Sequence, residues 1–284
     1  MHLIMLLTIL ILACGLRSIW KETPIAHWRD RWHRTLQLCL LPPLLLFTSS
    51  ISVIWMGPHG QMVWNEEGWF SYFLAIGFIV FTLIYLLKLA IASQKILHEI
   101  HTHPITTLHD HQVCILDLPT PYSAQIGFWQ SKLVITQGLL DLLDSEHLAA
   151  VLAHEQAHDR YRDTFWFFWL GWLRRITSWL PQTEAIWQEL LVLRELRADR
   201  WASKQTDPLL VAEALLLVVQ NTPIFDEPFC VPFSQIAPVD RLNQRIDALL
   251  MMTEVDSIDS SINWWFWLCL LIALLPLLII PFHC

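Results

Sequence analysis

Long apolar runs alternate with short polar ones through the first third of the chain, and one more apolar run closes it. The runs at 3–19, 36–55, 69–87 and 262–282 each approach the roughly 20 residues a helix needs to cross hydrocarbon, so four membrane spans are expected. The first run is not expected to be a cleaved secretion signal. It lacks a basic leading segment, and no clear small-residue cleavage site precedes Arg17 and Lys21. Pro42 and Pro43 in the second run and Pro276 in the fourth predict kinks, which membrane helices tolerate when neighbours satisfy the freed carbonyls.

Between the third and fourth runs, 94–261 is long enough to bury its own core, and the pattern changes. It opens on a polar lead with His98, His101, His103, His109 and His111. These lack an acidic or thiolate companion at helical spacing and read as a solvated connector rather than as ligands. From 112 to 136, short apolar runs broken by Pro119, Pro121 and Gly127 predict a few strands in a small sheet. A helix is expected from Ser145 as N-cap, with Glu146 in the first turn where the dipole favours negative charge. Leu148, Val151 and Leu152 recur at helical spacing and His154 and His158 continue the stripe, so the imidazoles are expected to point inward. Further helices are predicted over about 183–204 and 208–219, then a loop over 223–238, then a short helix carrying Arg241 and Arg245. Segment 164–180 gathers Phe165, Trp166, Phe167, Phe168, Trp169, Trp172 and Trp179 around Arg174 and Arg175. Too short and charged to span, it predicts a helix on the membrane surface or against the spans, with a buried core helix as the rival reading.

Composition agrees with a membrane protein: mean hydropathy is +0.44 and only 15% of the 284 residues are charged. The 16 tryptophans suit the boundary between hydrocarbon and water. A formal charge of -8 with no dominant basic face argues against direct nucleic-acid binding. Cys14, Cys39, Cys114, Cys230, Cys269 and Cys284 form no CxxC pair, so they predict neither a disulfide framework nor a thiolate metal site. After the first run come Arg17, Lys21, Arg29, Arg31 and Arg34, whereas 57–68 has no Lys or Arg and contains Glu66 and Glu67; Lys88 and Lys95 follow the third run. The positive-inside rule therefore places 94–261 in the cytoplasm and both termini outside, in a multi-pass arrangement.

The candidate chemistry starts at His154-Glu155-Gln156-Ala157-His158, an HExxH sequence. Residues four apart share a helix face, so both imidazoles can reach one zinc ion about 2 Å away. Glu155 lies beside them as a base for water that the metal acidifies. Two imidazoles are too few for a peptidase site, and Glu195 supplies a third ligand: it falls on the stripe Trp187, Leu191, Ala198 and Ala202, directed into an apolar core where an unpaired charge is costly. Asp199, one turn on, can accept the second N–H of a ligand histidine. The alternative reading pairs Glu195 with Arg194 or Arg197; Glu189 is the weaker ligand candidate, having no acid one turn later. Arg241 or Arg245 can supply positive charge to an oxyanion.

HExxH followed by ExxAD about forty residues later resembles the gluzincin membrane peptidases, and the chain resembles the BlaR/MecR-type integral-membrane metallopeptidase family. The likeness rests on the spans ahead of the domain, SAQIG at 123–127 before LVITQGLLDLL, HEQAHDRYRD at 154–163 and RELRADRWA at 194–202. CAAX-processing and heat-shock membrane peptidases are similar in the zinc motifs, but the span arrangement and Asp163 fit the BlaR/MecR pattern better. The resemblance implies zinc held by His154, His158 and Glu195, Glu155 as base, Asp199 in support, and Ser123, Ala124, Gln125 and Ile126 as an edge strand pairing with a peptide substrate; Arg245 is the preferred oxyanion candidate. It implies a mainly α membrane fold, with three spans in 1–93, a cytoplasmic gluzincin-like zinc peptidase domain with a small β-sheet in 94–261, and a last span in 262–284. The antibiotic-sensing members continue into a penicillin-binding domain, whereas this sequence ends at Cys284, so β-lactam sensing is not expected of it. The expected partners are a protein or peptide substrate, by analogy a transcriptional repressor, and the lipid bilayer. A non-catalytic zinc-containing signalling or scaffold protein is the alternative, and Glu155 speaks against it because a structural site needs no base. A transporter is disfavoured because the spans lack intramembrane charges.

Overall fold

The computed structural model describes residues 2–21, 28–58, 65–108, 111–221, 241–251 and 264–282. In chain order the described elements are α1 His2–Ser18, α2 Trp28–Met56, α3 Asn65–His101, β1 Ile105–Leu108, β2 His111–Leu116, β3 Ser123–Ile126, β4 Lys132–Thr136, α4 Gln137–Leu142, α5 Ser145–Arg160, α6 Asp163–Ile176, α7 Thr183–Ala202, α8 Pro208–Asn221, α9 Leu242–Leu250 and α10 Trp264–Ile272, followed by a 3-10 helix Leu275–Phe282. The loop expected at 223–238 lies outside the described residues, as do His109 and much of the acidic loop at 57–68. The chain forms two compact units, Met1–Lys88 with Leu170–Leu190 and Asp259–Cys284, and Leu89–Trp169 with Leu191–Ile258. Their boundaries fall inside α3, α6 and α7.

In the first unit, α2 is long and apolar enough to cross a membrane; so is Gly68–Ile100 of α3, which runs on into the second unit. Two such helices suggest membrane association. α3 does not stop where its apolar run ends: nothing between Lys88 and His101 breaks a helix until Pro104 restricts the residue before it. His98 and His101, read as part of a connector, are therefore helical. The last apolar run also departs from expectation. Rather than one kinked α-helix it is α10 followed by a tightened segment, in which the Ala273 and Leu274 amides donate three residues back, to Leu270 and Leu271. Pro276 has no N–H to continue an α-helix, and the Thr48 hydroxyl donates to the Ala273 carbonyl at 2.6 Å.

Prolines in α2 are accommodated in the same manner. Pro43 removes the amide that would serve the Cys39 carbonyl, and Arg17 Nη2 reaches that oxygen at 3.5 Å while Nη1 donates to Thr183 Oγ1 at 3.1 Å. Arg31 donates Nε and Nη2 to Glu189 Oε1 at 2.9 and 2.6 Å, both side chains buried. The basic residues expected in a loop after the first span are thus largely helical: Arg17 lies in α1, and Arg29, Arg31 and Arg34 lie in α2. Glu189, weighed as a ligand, is committed to Arg31. Leu170–Leu190 packs against the long helices, with Trp172 Nε1 donating to the Thr82 carbonyl at 3.0 Å and its ring 5.4 Å from Phe47. The later part of the Trp-rich segment is thus a helix packed against the apolar helices of the first unit.

The second unit is built on a mixed sheet of order β1-β2-β4-β3, with β2 and β4 parallel and the outer pairs antiparallel. Register sets the faces, because opposed residues share one: Ser123 stands opposite Ile135, and Gln125 opposite Leu133. That face buries Val113, Leu133 and Ile135 against Leu139, Leu143, Leu148 and Leu152 of α4, the turn after it and α5. On another side of α5, small residues Ala150 and Ala153 meet Ala202 of α7, Val211, Ala212 and Ala214 of α8, and Leu249 of α9. Methyl-sized contacts let these helix backbones approach closely. The cap of α5 is Asp144 rather than Ser145: its carboxylate accepts from the Glu146 and His147 amides at 3.1 and 2.9 Å, where a carboxylate opposes the positive helix end better than a hydroxyl.

Candidate metal centre

One turn of α5 and two turns of α7 supply the site. His154 and His158 present their rings 4.8 Å apart, edge to face, with the two Nε2 atoms 3.1 Å from each other. Each Nδ1 is tied elsewhere, His154 to Asp199 Oδ1 at 2.9 Å and His158 to Asp163 Oδ2 at 2.8 Å. A ring that donates Nδ1–H to a carboxylate offers a lone pair at Nε2 when neutral. Glu195 closes the group, Oε2 lying 3.3 Å from His154 Nε2 and Oε1 3.8 Å from His158 Nε2.

The helix bearing Glu195 is buried almost all round, not along one stripe. Leu190, Leu191, Val192 and Leu193 are essentially inaccessible, and Glu189, Arg194, Glu195 and Asp199 are buried among them. Charges held there must be paired. Arg194 donates Nε to Glu195 Oε1 at 2.9 Å and sits 4.9 Å from the Phe167 ring centre. Arg197 pairs with Asp163 and stacks over Tyr161. Arg245 of α9 grips Asp199 with Nε and Nη2, both at 2.7 Å, and its Nη1 is 3.4 Å from Glu195 Oε2. Of the two arginines weighed as partners for Glu195, Arg194 reaches it and Arg197 serves Asp163, while Glu195 still faces both imidazoles.

The electrostatics follow. Burial resists ionisation of Glu195, but Arg194, His158 and Arg245 overcome it and hold its pKa well below the usual carboxylate range. Burial likewise opposes charge on Asp199 and Asp163. Arg245 and His154 outweigh it at the first, and His158 and Arg197 at the second, so both pKa values are lowered. Burial also opposes charging His154, yet Asp199 and Glu195 push its pKa up to about 10. Asp199 and Glu195 thus favour a proton on His154, which a bound metal would displace.

The donor set fits a metal ion. His154, His158 and Glu195 offer ligand atoms all within 4.8 Å of one another. Tetrahedral ligands about 2.0–2.1 Å from a common ion stand roughly 3.3 Å apart, near the distances observed here. With both imidazoles neutral, two nitrogen lone pairs and a carboxylate converge with their outer hydrogen bonds already made, a donor set that suits a cation.

Glu155 stands beside this group without belonging to it. The residue is 5% exposed; Oε1 accepts from Ser123 Oγ at 2.7 Å, and Oε2 is buried with no hydrogen-bond partner among the described residues. Ser123, Ala124, Gln125 and Ile126 form β3, which pairs only with β4 among the described residues and is an edge of the sheet. Sequence reasoning missed two features. The Asp163 carboxylate that orients His158 lies five residues on, past the helix end, where Arg162 turns the chain with φ of 52°. Helical spacing cannot announce a contact made through a left-handed turn. The Ser123–Glu155 contact is the other; β3 and α5 are joined only in three dimensions.

Residues 94–192 match the model of peptidase family M48, which supports a metallopeptidase and covers both histidines and Glu155 but stops short of Glu195. No curated protein matches the chain.

Proposed function

We propose that this chain is an integral-membrane zinc-dependent endopeptidase acting on a cytoplasmic or membrane-proximal protein. The observation that carries the reading is the convergence of His154, His158 and Glu195 beside Glu155, a buried carboxylate that is not one of the three. His154, His158 and Glu195 would hold the ion, with Asp199 and Asp163 fixing the ring tautomers. Bound zinc supplies Lewis acidity, making water a better nucleophile near neutral pH and polarising the scissile carbonyl.

The protein's own groups do the rest. Glu155 takes the proton from the attacking water and delivers it to the leaving amine. The β3 edge pairs with the extended peptide, and Arg245 lends positive charge where the oxyanion develops. A purely structural metal site would have no use for Glu155, which weighs against a scaffold role. Removing the metal with 1,10-phenanthroline should abolish cleavage of β-casein by the purified protein, and added zinc should restore it; cleavage that persists in metal-free protein would reject the reading.

The four apolar runs are read as spans, with the peptidase region cytoplasmic, both termini outside and the inner (plasma) membrane as location. The basic residues between Arg17 and Arg34 and at Lys88 and Lys95, set against the acidic stretch at 57–68, support that orientation. A cysteine introduced as Gly60→Cys is expected to react with an impermeant maleimide in intact cells, and reaction only after permeabilisation would reverse the topology. By the motif resemblance to the BlaR/MecR type, the substrate is a regulatory protein, a transcriptional repressor being the model, cleaved within a signalling pathway.

A further inference from the structure

We propose that the Ser123 hydroxyl is a positioning group for Glu155, tying the base to the register of the strand on which substrate lies. The inference rests on the reading of Glu155 as base. Three observations support it. Ser123 is opposite Ile135, so its side chain shares the sheet face that packs on α5, and Oγ reaches Glu155 Oε1 at 2.7 Å. The Tyr122 carbonyl accepts from the Thr136 amide at 3.0 Å; backbone groups alternate in direction along a strand, so those of Ser123 and Gln125 face the open edge of the sheet. The remaining Glu155 oxygen, Oε2, is buried and has no hydrogen-bond partner among the described residues.

A division of labour follows. One carboxylate oxygen is pinned by the hydroxyl, which fixes the rotation of the carboxylate and leaves the other oxygen to accept a proton. The same residue that pins the base offers its main-chain N–H and C=O to a peptide added along the edge. A bound peptide is thereby registered against the base through a single residue, so the geometry of proton transfer depends on Ser123, while affinity depends on its backbone, which substitution leaves intact.

The test uses the full chain in detergent, zinc-loaded, with a quenched fluorescent peptide that the unsubstituted protein cleaves. Ser123→Ala is expected to lower kcat about 10- to 50-fold with KM within about twofold and zinc content unchanged, and Ser123→Thr, which keeps the hydroxyl, to recover kcat to within about threefold. A kcat within twofold for Ser123→Ala while Glu155→Gln is inactive would overturn the positioning role alone. So would a loss that Ser123→Thr does not restore, or one that accompanies loss of zinc. Full activity in Glu155→Gln would instead remove the base assignment, and this proposal with it.

Discussion

Glu155→Gln is expected to keep its metal and lose cleavage by a factor of about 1,000 or more, within the range that removing a positioned general base produces. The substitution is nearly isosteric. The amide oxygen can still accept from Ser123 Oγ, which now contacts Oε1 at 2.7 Å, and the three candidate ligands His154, His158 and Glu195 are untouched. What disappears is proton affinity: an amide can neither take a proton from water nor hand one to an amine. Metal analysis and β-casein cleavage on the same preparation separate the two effects. Cleavage at the unsubstituted rate in metal-replete protein would dismiss Glu155 as base, and loss of metal alongside activity would recast it as part of the metal's support.

Glu195→Ala is expected to strip the site of metal and to destabilise the second unit. The carboxylate is buried between His154, His158, Arg194 and Arg245, so its removal takes one ligand and one buried negative charge from beside two guanidinium groups, Arg245 keeping Asp199. Breaking a buried charge pair from one side costs about 3–5 kcal/mol. Metal content should fall well below one per chain after dialysis against a weak chelator, and the thermal midpoint should drop even without metal. Glu195→Gln separates the causes, since it keeps the shape and a weak oxygen ligand while losing the charge. Full metal stoichiometry in Glu195→Ala would count against the ligand role.

Much of the candidate site was legible because helical spacing is a local property. The i, i+4 relation of His154 and His158 places both on one face whatever else the chain does, and Asp199, one turn beyond Glu195, was legible for the same reason. A carboxylate amid Leu, Trp and Ala on a second helix signals a buried charge in need of a partner. The structure supplies several partners at once, Arg194 and Arg245 as well as the imidazoles. Asp163 stands out in the sequence only within HEQAHDRYRD at 154–163; its contact depends on the left-handed turn at Arg162, which carries no glycine to announce it. The cap lies at Asp144, one residue before the expected Ser145, because adjacent Asp and Ser are both capping residues and only the amide directions decide between them.

The amino-acid order alone determined which segments are apolar, which helix turn bears the histidines and which acids could join them, because composition and 3.6-residue periodicity act over one or two turns. Which arginine neutralises which acid was decided by tertiary structure: Arg31 for Glu189, Arg197 for Asp163 and Arg245 for Asp199. So was the use of the Ser123 hydroxyl on Glu155, 32 residues away, and the breaking of the last apolar run before Pro276. Such pairings depend on distances between elements remote in sequence, and many charge pairings are consistent with one pattern until packing brings particular groups within hydrogen-bonding reach.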